Sequence, residues 1–66
     1  MYDELRRLEE AGRNVTVCDG DEILAVGPLL WINDDDAPRW MVENYAFTTR
    51  EITGISEEAR IIYLTV

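Results

Sequence analysis

The sequence predicts an α+β fold: an N-terminal helix packed on a small antiparallel sheet of about five strands, closed into a barrel or strongly curled. Three observations predict it. Apolar residues recur at three-residue spacing over residues 2–11, as on one face of a helix. The rest of the chain alternates short β-prone runs with turn residues. At 66 residues the chain is one domain, 1–66, with no linker, repeat or low-complexity tract to divide it.

In the helix, Tyr2, Leu5, Leu8 and Ala11 form a narrow apolar stripe that must lie on another element to persist. Asp3 and Glu4 sit in the first turn, where the helix dipole favours negative charge, and Gly12 stands at the C′ position. Asp3–Arg7 and Arg6–Glu10 are spaced to pair along the exposed side. Val15 and Val17 then alternate with Asn14, Thr16 and Cys18, and Asp19-Gly20 marks a tight turn. Residues 22–33 are almost continuously apolar but contain Gly27-Pro28, which a helix interior tolerates only at about 3 kcal/mol. A long strand bent at that dipeptide fits better, with Pro28 at an edge or bulge.

Asn33 to Asp36 end the strand in a solvated loop. From Pro38 to Thr49, the pattern of Trp40, Val42, Met41, Tyr45 and Phe47 favours a returning strand over a short helix opened by Ala37-Pro38-Arg39. Thr48, Thr49, Ile52, Thr53 and Ile55 are strand-prone, Ser56 to Ala59 form a polar turn, and residues 60–66 close the chain as a strand. In that last strand Ile62, Leu64 and Val66 share one face and Ile61, Tyr63 and Thr65 the other. Both are mainly apolar, which a solvent-exposed edge strand avoids.

This layout resembles the Sm-like branch of the small SH3-like barrels. The matching residues are the helix, the turn Val17-Cys18-Asp19-Gly20, the long strand kinked at Gly27, and Arg50-Glu51-Ile52-Thr53-Gly54-Ile55. In size, acidity and layout the chain is also similar to the Rof family, acidic Sm-like proteins that bind and inhibit the termination factor Rho. The Sm-like residues that contact RNA do not carry over. Met41-Val42 stand near the place of the third-strand asparagine, and Arg50-Glu51 replace the fourth-strand Arg-Gly pair.

Fourteen acids oppose six bases, all arginine, for a net charge of −8. Such a field disfavours nucleic acid and anionic lipid and favours a basic protein surface. The same balance also fits solubility alone, a halophile proteome, or a GC-rich genome that prefers arginine codons. No run approaches the roughly 20 apolar residues of a membrane span. The acidic start, Met1-Tyr2-Asp3-Glu4, is unlike a secretory signal, so a cytoplasmic location is expected, that of the host if the chain is phage-encoded.

No catalytic, cofactor or metal residues are expected. Without histidine or lysine, acid–base chemistry would fall to carboxylates, tyrosines or Cys18, and Cys18 has no base to activate it. Neither Asp19-Gly20-Asp21-Glu22 nor Asp34-Asp35-Asp36 has the twelve-residue spacing of an EF-hand loop. Asp19, Asp21, Glu22, Asp34, Asp35 and Asp36 are instead candidates for contact with a basic partner. Trp31 and Trp40 flank the second cluster and read either as aromatic anchors or as facing core residues of a hairpin. The expected function is an acidic protein–protein interaction module, an inhibitor or adaptor of phage type that binds a larger protein. The alternative is a homo-oligomeric, self-assembling structural subunit of Sm-like type joined through strand edges, with RNA binding a distant third.

Overall fold

The computed structural model describes residues 2–33 and 38–65. Helix α1 spans Tyr2–Ala11 and turns Leu5 and Leu8 inward. It ends where Gly12 takes a left-handed φ of 67° and returns its N–H to the Glu9 carbonyl. Arg6 pairs with Glu9 and Glu10 along the helix, at 3.3 and 3.9 Å. Arg7 leaves the helix surface altogether: its Nε and one terminal nitrogen donate to both carboxylate oxygens of Glu57, at 2.7 and 3.1 Å. That two-pronged contact ties α1 to a turn fifty residues away.

Strands β1 (Asn14–Asp19) and β2 (Glu22–Ile32) form a hairpin closed by Gly20-Asp21. Positive φ at the first loop residue, Gly20 at 59°, is the pattern of the type II′ turn that matches strand twist. A bulge between Val17 and Cys18 leaves Leu24 opposite no β1 residue. β2 is the long strand. Its first part, 22–28, pairs with β1, and its second, 29–32, pairs with β3 (Arg39–Val42) on the opposite edge. Gly27-Pro28 marks that change of partner.

Residues 39–47 are not one returning strand. They form a tight hairpin of β3 and β4 (Tyr45–Phe47), closed by Glu43-Asn44 with Glu43 at φ 55°. A 3₁₀ turn, η1 (Thr49–Glu51), follows. The Glu51 carboxylate accepts both the N–H and the hydroxyl of Thr48 there, at 2.9 and 3.1 Å. β5 (Ile52–Ser56) and β6 (Ile61–Leu64) make the last hairpin.

The order across the sheet is β4-β3-β2-β1-β6-β5, six strands rather than five. The barrel is not closed: β4 is three residues long, η1 stands between it and β5, and no ladder joins the two ends. Nor is the sheet wholly antiparallel, because β6 runs parallel to β1. The N–H of Thr16 donates to the Arg60 carbonyl on that side, at 2.9 Å.

The core lies between α1 and the inner face of the curled sheet. Leu5 and Leu8 meet Val15, Val17, Leu29, Trp40, Val42, Phe47, Ile52, Ile62 and Leu64 there. The Cα radius of gyration is 10.7 Å, against about 10.8 Å for a compact chain of this length.

The Arg7–Glu57 contact sets a pH dependence. Hydrogen bonding from Arg7, opposed by desolvation and helped by its charge, lowers the Glu57 carboxyl below its ordinary 4.5. The pair therefore stabilises the fold above pH 4.5, and that contribution is lost as pH falls through the lower folded value. Glu57→Gln should remove this part of the acid destabilisation in low-salt urea titrations. At about 1 M salt the difference should vanish, because both side chains are solvent-exposed.

Candidate interaction surface

The geometry separates the described acids singled out by sequence, Asp19, Asp21 and Glu22, from the tryptophans. Trp31 and Trp40 are cross-strand partners in β2 and β3, with ring centroids 4.8 Å apart at 55°. The ring of Tyr2 lies 6.3 Å from Trp40. Trp40 is fully buried, so it is packing beneath the surface and not a surface anchor. Its indole N–H has no hydrogen-bond partner among the described residues. Trp31 is half-buried, and its backbone N–H donates to the Glu9 carboxylate of α1 at 3.1 Å.

Asp34, Asp35 and Asp36 lie outside the described residues. Asp21 and Glu22 are exposed and Asp19 half-buried at the β1–β2 turn. That turn and Trp31 stand at opposite ends of β2, separated by about 30 Å of strand contour. The two groups do not form one patch.

A different surface emerges from the registers. Residues directly opposite across a ladder share a face. Val15 and Val17 point into the core, so Thr16 points outward together with its partners Val26 and Ile61. Cys18 likewise shares the outer face with Ile23 and Tyr63, and Tyr63 with Gly54. Further along, Leu30 faces outward beside Met41 and Ala46. Ile23 is 65% exposed, Leu30 50%, Val26 46% and Tyr63 38%, while Cys18 is buried among its neighbours.

By the same registers Ile32 and Arg39 are a further outward pair, and Arg39 is the one charged residue among these outward positions, although 30% of the chain is charged. A sheet covered on one side normally shows polar side chains on the other. Here α1 covers the inner face, and the outer face is mainly apolar and uncovered among the described residues. Acids stand at its ends: Asp19, Asp21 and Glu22 at the β1–β2 turn, Glu57 and Glu58 at the β5–β6 turn. The C-terminal strand pattern pointed to Tyr63 and its face. Ile23, Val26 and Leu30 were hidden in a continuous apolar run, in which alternation gives no inside or outside.

A second feature is a cleft of about 320 Å³ between β2 and the β3–β4 turn, lined by Leu24, Ala25, Glu43, Asn44 and Tyr45. Among the described residues no group of three or more histidine, cysteine, aspartate or glutamate side chains is placed to hold a metal ion. No described helix is long and apolar enough to cross a membrane. No protein-family model matches the chain, and neither does any curated protein or solved structure.

The bareness of the outer face is testable through stability. Val26→Thr keeps a β-branched shape and should change unfolding free energy by no more than about 0.5 kcal/mol. Ile62→Ala, on the inner face of the neighbouring sheet region, should cost about 2–5 kcal/mol. Urea unfolding measures both, and comparable losses would mean that Val26 is covered.

Proposed function

We propose that this chain is a protein–protein interaction module. Its outer sheet face docks on a larger protein whose contact surface has an apolar centre and a basic surround. The observation that carries this reading is an exposed, mainly apolar face with one charged residue, Arg39, toward its β2–β3 end, on a chain of net charge −8 whose described acids stand on the helix and at the turns. Contiguous exposed apolar surface marks interaction sites on small proteins, and aromatics such as Tyr63 anchor them. The surrounding acids would steer a basic partner and repel nucleic acid. A domain this small acts most simply by occupying its partner's surface, as an inhibitor or an adaptor.

Self-assembly is the second reading, and the open ends of the sheet favour it. β4 and β5 each pair on one side only, and strands with free edges join readily to strands of another copy. Light scattering separates the two readings. A mass several times the monomer's supports assembly, and a monomer supports a foreign partner.

The interaction reading predicts distinct effects from face and charge. Ile23→Asp with Tyr63→Asp should leave the chain folded and abolish stoichiometric retention of the partner. Neutralising Asp21, Glu22, Asp34, Asp35 and Asp36 to the corresponding amides should slow association and flatten its salt dependence, with little change in melting temperature. An association rate indifferent to salt and to the amide changes would contradict steering. Unimpaired binding by the face variant would contradict docking through the outer face.

A further inference from the structure

The free edge of β2 and the cleft beside it form a second binding element. Trp31 sends its N–H to Glu9, away from β3, and Thr16 sends its N–H to Arg60, away from β2. Backbone groups alternate sides along a strand, so both ladders give one assignment. Ala25 and Gly27 face β1, while Val26 and Pro28 face the side where β3 would continue. β3 does not continue: its ladder with β2 ends at Leu29–Val42, and the chain turns back at Glu43-Asn44. Pro28 has no N–H to leave unpaired there. Val26 has both an N–H and a carbonyl on that open edge.

Beside this edge lies the cleft lined by Leu24, Ala25, Glu43, Asn44 and Tyr45. The Glu43 side chain lies over Gly27 so closely that a Cβ on residue 27 would sit 2.6 Å from its carboxylate oxygen and 2.9 Å from its Cγ. Gly27 is thus the space that lets this carboxylate lie against the strand. Glu43 itself holds a left-handed φ of 55°, a conformation that glycine or asparagine adopts at lower cost. The turn geometry therefore gives no reason for a glutamate. Arg6 and Arg7 pair with other glutamates, and Arg60 donates to the Asn14 carbonyl.

We propose that this element binds an extended peptide segment bearing an arginine. The segment adds to the sheet by pairing with Val26, and its guanidinium meets the Glu43 carboxylate. Leu24 and Ala25 supply apolar wall for the arginine methylenes, and the half-buried Tyr45 ring offers a face to the planar cation. Strand addition supplies affinity through the main chain, and the pocket supplies selectivity. This site shares only Val26 with the outer sheet face and does not use Ile23, Leu30 or Tyr63, so either can fail without the other.

The test is a titration of the 15N-labelled protein with the peptide acetyl-Val-Arg-Val-amide, followed by amide chemical shifts. Shifts should localise to Leu24, Ala25, Val26, Asn44 and Tyr45, and the matching Val-Gln-Val peptide should bind at least about tenfold more weakly. Glu43→Gln should cause the same loss. Gly27→Ala, which displaces the carboxylate, should weaken binding while the spectrum elsewhere stays folded. Shifts that are absent or scattered, or equal affinity for the arginine and glutamine peptides on the wild-type protein, would overturn the proposal. The peptide comparison decides the matter even if a protein variant does not fold.

Discussion

The fold depends on one strand serving two ladders. β2 pairs with β1 along its first seven residues and with β3 along its last four, on opposite edges. Without the change of partner at Gly27-Pro28, the β3–β4 hairpin would have no place against the inner face. Trp40, Val42 and Phe47 would then be missing from the core. Each residue of the dipeptide suits its place for a definite reason. Gly27 leaves room for the Glu43 side chain folded over it, and Pro28 points its missing N–H to the side where the ladder has ended. The change of partner is what brings the β3–β4 hairpin residues into the core, which matters in a chain this short because small domains bury a smaller share of their surface than large ones.

The helix completes the arrangement by contacts of different kinds. Leu5 and Leu8 enter the core, Glu9 takes the Trp31 N–H that β2 leaves unpaired on its β1 side, and Arg7 reaches Glu57 at the far hairpin. One short element thereby covers a free strand edge and ties the β2 and β5–β6 regions together. Its cover reaches only the inner side of the sheet. The outer side is left with Ile23, Val26, Leu30 and Tyr63 in water, at a cost that the core must offset and that a docked partner would remove.

Much of this was written in local patterns. The three-residue spacing and Gly12 gave the helix its observed bounds, and valine alternation with Asp19-Gly20 gave the first hairpin. The apolar run over 22–33 is the long strand β2, its Gly27-Pro28 dipeptide stands where the pairing partner changes, and the two apolar faces of the last strand are the inner and outer faces seen in β6. What was missed depends on tertiary partners. Glu43-Asn44 contains neither glycine nor proline, so the β3–β4 turn left no ordinary signal, and one expected strand became two. The parallel pairing of β6 with β1 and the open ends follow from which edges meet in space, which periodicity does not encode. Trp40, flanking an acidic loop, read equally as anchor or as core, and only its position opposite Trp31 beneath Tyr2 resolves it. The cleft needed separate segments to meet, and no motif announced it.

Amide hydrogen exchange on the free protein tests the change of partner directly. Ala25 and Gly27, facing β1, should be protected, and so should Leu30, facing β3. Val26, between them in sequence but facing the open edge, should exchange faster than all three by at least about tenfold. Slow exchange at Val26, matching Leu30, would mean that the β3 side of β2 is already occupied. The strand would then not divide its length between two ladders, and the dependence of the fold on Gly27-Pro28 would be contradicted.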